Sequence, residues 1–188
     1  MTWLTRHGPD VPDAELVRLV IGGDRDAYAG LVDRHQQSLY RHARGMGLDH
    51  DTSLDLIQDA FVRGYTRLHE CRDTAHFRAW LFRIARNLCL DFLKNVRRGT
   101  VPLSALPNAE DIADGERSDG ELLATLRAAL ETLPLPLREA FLLKHDAGYT
   151  YEEVAELTNT SPSAVKMRVH RARAALQAFL LKQGVRAA

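Results

Sequence analysis

Several features are scarce or missing in this 188-residue sequence, and each absence excludes a class of protein. No run reaches the roughly 20 apolar residues that a membrane-spanning helix needs, so membrane insertion is not expected. The first residues, MTWLTRHGPDVPDAEL, lack the basic-then-apolar pattern of a secretion signal. The only two cysteines, Cys71 and Cys89, cannot build a disulfide scaffold. Together these features predict a protein of the reducing cytoplasm.

The motifs of common enzyme classes are also missing. The sequence has no glycine-rich loop for phosphates, no His-Glu zinc motif and no strand-turn-helix motif around a nucleophilic serine. Cys71 and His76 are possible metal ligands on one stretch, but two candidates do not complete a site. We therefore predict no catalytic residue, no metal and no cofactor, and a protein that is not an enzyme.

Alternating strand patterns are nearly absent, whereas helical periodicity runs through most of the chain. The predicted class is all-α, with two small helical domains at 13–98 and 120–183 joined by a flexible acidic linker at 99–119. Asp24, Thr52 and Thr74 are the predicted N-caps of three helices in the first domain. The predicted helices span residues 13–21, 24–44, 52–68, 75–98, 121–132 and 137–145, and two more follow within 149–176.

The linker prediction depends on composition. Pro102 and Pro107 interrupt any helical period, and residues 108–121 carry six acidic residues against one basic residue. Two interpretations stay open at this point. The segment is either a soluble tether, or a strand of carboxylates that lies in a positively charged groove.

Residues 149–176 contain the most informative pattern of the sequence. Thr150 and Glu153 form a capping box for a short helix, and 158–160 interrupt its period. Ser161 and Pro162 then begin a second helix. Its apolar face repeats every three or four residues, and its other face is basic, which is typical of a helix-turn-helix whose second helix enters the DNA major groove. The alternative is an ordinary helical hairpin with a solvated basic face.

Charge is distributed unevenly, although the formal net charge is zero. No acidic residue follows Glu156, while six basic residues do, so this end of the chain suits phosphates. A second basic face lies on the helix predicted at 75–98, with the amide of Asn87 near its middle. A solvated surface helix is the alternative for this face.

The order of these features resembles a bacterial RNA polymerase sigma factor of the extracytoplasmic-function (ECF) group of the sigma-70 family. DLIQDAFVRGY resembles the conserved region 2 helix that grips the polymerase clamp. FRAWLFRIARNLCLDFLKNVRR resembles the helix that meets the opened promoter, and the stretch from LPLPLREAF to RARAAL resembles region 4 throughout. No segment corresponds to the third domain of larger sigma factors, which favours the smaller group.

The resemblance implies roles for individual residues. The region 2 residues that would bind the β′ clamp helices are Asp55, Gln58, Asp59 and Arg63. Asn87 would contact the melted −10 element, and the loop at 69–76 would hold a flipped base. The other predicted residues of the −10 surface are Arg83, Arg86, Lys94, Arg97 and Arg98, together with Trp80. For Trp80, which could stack on a base, a place in the core or at its rim is the alternative. The residues that would face −35 bases are Lys166, Met167, His170 and Arg171, and those placed for phosphates are Ser163, Arg168 and Arg173.

Met167 departs from the small polar residue often found at its position in the family, and it offers apolar contact without a hydrogen-bond donor.

The implied partners are core RNA polymerase, through its β′ clamp helices and β flap, and promoter DNA. Whether an anti-sigma factor also binds stays open. Two alternatives remain: a one-component helix-turn-helix regulator that binds duplex DNA without polymerase, and a polymerase-binding relative that no longer recognises promoters.

Overall fold

The computed structural model describes residues 11–100 and 119–184, with side chains left undescribed at 119–123. All regular structure in these ranges is helical, which confirms the all-α prediction. The predicted linker falls almost entirely on 101–118, outside the described residues. The α-helices are α1 (Asp13–Ile21), α2 (Ala27–Gly45), α3 (His50–Thr66), α4 (Phe77–Arg97), α5 (Asp119–Glu131), α6 (Leu135–His145), α7 (Tyr151–Thr158) and α8 (Pro162–Lys182).

Helices α1 to α4 form what we call the N-terminal unit. Their apolar stripes converge on a core whose largest fully buried side chains include Phe77, Phe82, Leu31 and Leu81. At the edge of this core the ring Nε2 of His35 donates to Oδ2 of the Asp13 carboxylate at 2.7 Å. Hydrogen bonds from His35 and Arg34 lower the pKa of Asp13 against the opposing effect of burial, so the ionised carboxylate ties α1 to α2.

The three predicted N-caps of this unit are wrong by a few residues. Helix α3 begins at His50, because the carboxylate of Asp49 accepts hydrogen bonds from the backbone and hydroxyl of Thr52, at 2.7 and 2.6 Å. Helix α2 begins at Ala27, and Asp24 forms a turn before it by accepting from the Asp26 amide at 3.2 Å. For α3, the upstream Asp49 therefore provides the charged acceptor that favours a helix N-terminus.

The predicted cap Thr74 instead lies in a short 3₁₀ helix, Thr74–His76, that precedes α4. Asp73 begins this turn by accepting from the Ala75 amide at 3.0 Å. A second 3₁₀ turn covers Leu68–Glu70. The connection between α3 and α4 is therefore a structured pair of tight turns, which gives its exposed side chains defined positions.

Helices α5 to α8 form the C-terminal unit, which contains the predicted helix-turn-helix. The capping box is confirmed: the Glu153 amide donates to Thr150 Oγ1 at 3.2 Å, and the Thr150 amide donates to the Glu153 carboxylate at 2.7 Å. Asn159 ends α7 in the left-handed region, at φ 51°. Ser161 then caps α8 and Pro162 opens it, as predicted. Helix α6 begins two residues earlier than predicted, since Pro136 fits its first turn.

The two units pack against each other in this structure. Residues of both, such as Phe82 and Leu143, belong to one continuous apolar cluster. At the end of α2, Gly45 meets α6 so closely that an added Cβ would lie 2.7 Å from Leu142 Cδ2. Arg138 of α6 donates to the carbonyl of Met46 at 2.9 Å. The C-terminal unit consequently covers one side of the N-terminal unit.

Candidate nucleic-acid and polymerase interfaces

Helix α8 divides cleanly into an apolar and a basic face, as predicted. Val165, Val169, Ala172 and Leu176 are buried against α6 and α7. The side chains placed for base contact all lie on the exposed side, and Met167 is 52 % exposed. These residues are Lys166, Met167, His170 and Arg171, together with the phosphate candidates Ser163 and Arg173, whereas Arg168 is half-buried.

Neighbouring groups orient part of this basic face. The ammonium group of Lys166 lies 5.6 Å from the centroid of the Tyr151 ring, which gives a cation–π contact. Arg173 Nη2 lies 3.3 Å from His145 Nε2. Burial, and then the nearby charges of Arg173 and Lys144, lower the pKa of His145, so its neutral ring can accept this hydrogen bond. The positive charges of Lys166 and Arg173 on α8 are therefore not neutralised by an acidic side chain in either of these contacts.

The second basic face lies on α4 and is mostly open to solvent. Arg83, Asn87, Arg97 and Arg98 are exposed, and Lys94 is exposed but pairs with Asp91 at 3.0 Å. The amide of Asn87 points away from the core, where it is accessible to a base edge.

Arg86 departs from the other predicted −10 residues. Its guanidinium makes two hydrogen bonds to the Glu139 carboxylate of α6, at 2.6 and 3.1 Å. The two side chains are only 14 % and 6 % exposed. In this arrangement Arg86 is engaged across the two units and does not reach DNA.

Trp80 is half-buried at the N-terminal end of the same helix. Its ring packs on Phe77, with centroids 5.9 Å apart and planes inclined by 38°. An added Cβ at Gly64 would lie 3.8 Å from the Trp80 ring and 3.0 Å from Leu81, which reflects the close approach of α3 to α4. Trp80 therefore supports helix packing and presents only part of its ring to a ligand.

The connection at 68–76 is organised by local ion pairs. Arg67 binds Glu70 with a shortest distance of 2.6 Å, and His76 Nδ1 lies 2.8 Å from Asp73 Oδ2. The hydrogen bond and charge of Asp73 raise the pKa of His76, which favours a positive charge on this loop. Cys71 is buried beneath it and donates to the Asp73 carbonyl at 3.5 Å. Among the described residues no group of three His, Cys, Asp or Glu side chains is placed to hold a metal ion.

The predicted polymerase contacts share the outer side of α3. Asp55, Gln58 and Arg63 are exposed, and Asp59 forms an ion pair with Arg63 at 2.8 Å. Next to them lies a groove of about 860 Å³ between α2 and α3. The exposed apolar residues of this groove were not predicted from the sequence, although they extend the apolar stripe of α3 onto the surface. They are Leu54, Val62 and Tyr65, and Tyr28, Val32 and Tyr40 line the opposite wall.

A second apolar groove, of about 490 Å³, lies on the C-terminal unit between α5, α6 and the end of α8. Leu181 is 58 % exposed there, and Leu126 is 36 % exposed at the rim of the groove. Phe141 and Leu180 complete the apolar lining. Exposed leucines on adjacent helices are typical of a surface that another protein covers.

Comparison with known proteins identifies the family to which this chain belongs. The family model for sigma-70 region 2 matches residues 31–99, and the model for sigma-70, region 4 matches residues 123–176. The RNA polymerase sigma factor NccH of Alcaligenes xylosoxydans xylosoxydans is 34 % identical, over 92 % of this chain and 96 % of its own length. The chain belongs to the extracytoplasmic-function group of sigma factors.

Other relatives of the sigma factor support the same assignment. The ECF sigma factor SigW of Bacillus subtilis is 30 % identical over 86 % of this chain and 92 % of its own length. The structure of CnrH in complex with the cytosolic domain of CnrY superposes with a TM-score of 0.70 and 29 % identity, covering 89 % of this chain and 96 % of that one. RpoE of Bartonella quintana, in complex with the anti-sigma factor NepR, superposes with a TM-score of 0.67 and 25 % identity, covering 81 % of this chain and 96 % of that one.

The protein is thus a sigma factor that directs transcription initiation, and nothing in these comparisons favours a one-component regulator. Sigma factors are in general DNA-binding initiation factors and not enzymes. No helix in the described ranges is both long and apolar enough to cross a membrane.

Proposed function

We propose that the sigma factor recognises promoters through two separate surfaces. The exposed basic side of α8 binds the −35 element in the major groove, and α4 with the 69–76 loop binds the non-template strand of the melted −10 element. One observation supports this proposal: each unit presents its own exposed basic face, and each face carries exposed polar side chains that could contact bases. A duplex-only regulator would need the first face but not the second.

The chemistry of the two faces differs in a way that suits their targets. On α8, Lys166 and Arg171 project from the exposed side and can hydrogen-bond to guanine in a duplex. On α4, the Asn87 amide can hydrogen-bond to a base edge that unstacking has exposed, while the surrounding arginines hold the backbone. This second face consequently stabilises the open promoter rather than the initial duplex complex.

Polymerase binding would use the outer side of α3 and the two grooves. Asp55, Gln58, Asp59 and Arg63 offer hydrogen bonds and charges to the β′ clamp helices, and the apolar groove beside them adds buried area. The groove between α5, α6 and α8 suits a helix of the β flap, because its rim leucines lie on adjacent helices. The acidic linker, whose carboxylates resemble a run of phosphates, would lie in the positively charged channel through which RNA leaves.

Among the similar structures, RpoE of Bartonella quintana is in complex with the anti-sigma factor NepR, and CnrH is in complex with the cytosolic domain of CnrY. We extend this to the present chain and propose that an anti-sigma factor covers one or both apolar grooves and so blocks polymerase. The protein would act in the cytoplasm without catalytic activity of its own, because the polymerase performs the chemistry.

Run-off transcription with core RNA polymerase tests the proposal, using promoters selected from random sequence by the reconstituted complex. We expect transcripts from wild-type protein, and a strong loss for Arg171→Ala. Lys182→Ala is the matched control, because it removes an exposed basic residue at the far end of the same helix. If no complex with core enzyme forms while the protein alone protects an operator, the one-component alternative is correct.

A further inference from the structure

We propose that Met167 makes −35 recognition by this sigma factor depend on the methyl group of one thymine. The thioether side chain contacts the C5-methyl of that thymine in the major groove, so this base pair is selected by apolar contact and not by hydrogen bonding. The inference rests on the proposed function of α8 as the −35 surface. It adds the chemical feature of the base that one residue of this surface recognises.

Met167 lies at the outermost point of α8. The buried side chains of this helix are those of Val165, Val169, Ala172 and Leu176. At about 100° per residue, these four side chains cluster about 170° around the helix axis from Met167. Met167 is also in the second turn of α8, and the N-terminal residues of a recognition helix are the ones that contact base edges. Its side chain therefore projects away from the core at the depth where bases are read.

The exposure of Met167 is not accounted for by either apolar groove. Within the described ranges seven large apolar side chains are exposed, and five of them line the two grooves. Met167 and Ile21, the last residue of α1, lie outside both grooves. A single exposed apolar side chain is common on protein surfaces, so exposure alone assigns no role. The position of Met167 in the middle of a basic face is what distinguishes it from Ile21.

Two polar neighbours of Met167 make contacts within the protein. The ammonium group of Lys166 lies 5.6 Å from the centroid of the Tyr151 ring. The hydroxyl oxygen of Ser163 lies 3.0 Å from that of Ser161. Both groups are thus held by contacts within the helix-turn-helix, while the side chain of Met167 faces solvent at the centre of the exposed side.

The chemistry of the thioether limits what Met167 can recognise. The side chain has no hydrogen-bond donor and its sulfur is a weak acceptor, so it matches the amino and carbonyl groups of bases poorly. The apolar group that bases present in the major groove is the C5-methyl of thymine. An unbranched, polarisable side chain can adapt its shape to such a group. Met167 therefore favours an A·T or T·A pair at the position that it contacts.

The test replaces single thymines of the −35 element with deoxyuridine, which removes the C5-methyl and keeps the hydrogen-bonding pattern of the base. The promoter is first selected from random sequence by the sigma factor bound to core RNA polymerase. Binding of each substituted promoter duplex to this complex is then measured for wild type, Met167→Ala, Met167→Leu and Ile21→Ala. Ile21→Ala is the matched control, because it removes a similarly exposed apolar side chain outside the proposed DNA surfaces.

We expect one thymine whose replacement weakens wild-type binding about fourfold, the factor that corresponds to the burial of one methyl group. Met167→Leu and Ile21→Ala should show the same loss, since both keep an apolar side chain of sufficient length at position 167. In Met167→Ala the loss should shrink to less than about twofold, because the pairwise contact is already missing.

Three results would overturn the proposal. They are a defined −35 element without an A·T pair, deoxyuridine substitutions that are silent at every thymine, and losses that are equal in wild type and Met167→Ala.

Failure of the proposed function gives a different pattern. The selected promoters would then share no −35 sequence, and Arg171→Ala would leave binding unchanged. If Arg171→Ala relaxes a −35 preference while the deoxyuridine substitutions are silent, α8 recognises the −35 element and only the methyl contact is wrong.

Discussion

His42 of α2 is a polar side chain buried in the core, so its protonation directly tests how burial makes stability depend on pH. It is 2 % exposed, its ring meets the Phe82 ring with centroids 5.0 Å apart, and neither ring nitrogen has a hydrogen-bond partner within the described part of the chain. Burial, and then the charge of Arg86, lower its pKa from 6.5 to about 4. The folded protein therefore holds this imidazole neutral.

This shift makes stability depend on pH in a predictable direction. Between pH 6.5 and 4 the unfolded chain binds a proton at His42 and the folded chain does not, so the free energy of unfolding falls as pH falls through this window. Above pH 6.5 both states are neutral at this site and the contribution vanishes. A His42 pKa of about 4 in the folded state, against 6.5 in the unfolded chain, corresponds to about 3 kcal/mol of unfolding free energy lost by pH 4, at 1.36 kcal/mol per pH unit.

Replacing the ring with leucine removes both the proton site and the two unpartnered nitrogens. We expect His42→Leu to be more stable than wild type by about 1–2 kcal/mol at pH 7, since burying unpartnered polar atoms costs about 1–3 kcal/mol. The advantage should grow to about 4–5 kcal/mol near pH 4, when the protonation difference is added.

Urea unfolding followed by circular dichroism from pH 4 to pH 8 measures this difference directly. Carboxylates whose pKa differs between the folded and unfolded states, such as that of Asp13, are common to both proteins and cancel in the comparison. His69→Gln, at an exposed position, is the control and should leave the wild-type curve unchanged. Parallel curves for His42→Leu and wild type would refute the argument, and so would a loss of stability in the variant at pH 7.

Three further outcomes are expected. Arg171→Ala should cost roughly 1–3 kcal/mol of binding free energy and relax the base preference at one −35 position. Arg168→Ala should instead weaken binding to all sequences about equally and lower the salt dependence of binding by about one. A matrix of −35 substitutions distinguishes the two, and uniform losses of affinity from both variants would contradict base recognition by Arg171. Asn87→Ala should impair promoter melting, detected by permanganate, more than closed-complex binding, and equal losses would contradict its role on unpaired bases. Gly45→Ala should lower the free energy of unfolding by about 1 kcal/mol or more, because its Cβ would lie 2.7 Å from Leu142 Cδ2; an unchanged urea midpoint would show that the leucine side chain moves aside without cost.

Much of the fold and of the candidate site followed from the sequence, because the forces involved act over a few residues. A capping box depends on two side chains three positions apart, and Thr150 with Glu153 form one as predicted. The apolar period of α8 determines which side is buried, so the exposure of Lys166 and Arg171 could be derived without a structure. The errors in helix starts are equally local: Asp49 and Thr52 both suit an N-cap, and sequence alone does not rank them.

Tertiary structure alone decided what covers each surface. Helical periodicity identifies an apolar stripe but not the element packed on it, so the grooves beside Leu54 and Leu181 were not predicted. The position of Arg86 on α4 indicated a solvent-facing cation, yet Glu139, 53 residues away, withdraws it into a buried pair. Such a contact depends on how two separately patterned units meet, and that geometry is set by many weak packing interactions that no short stretch of sequence contains.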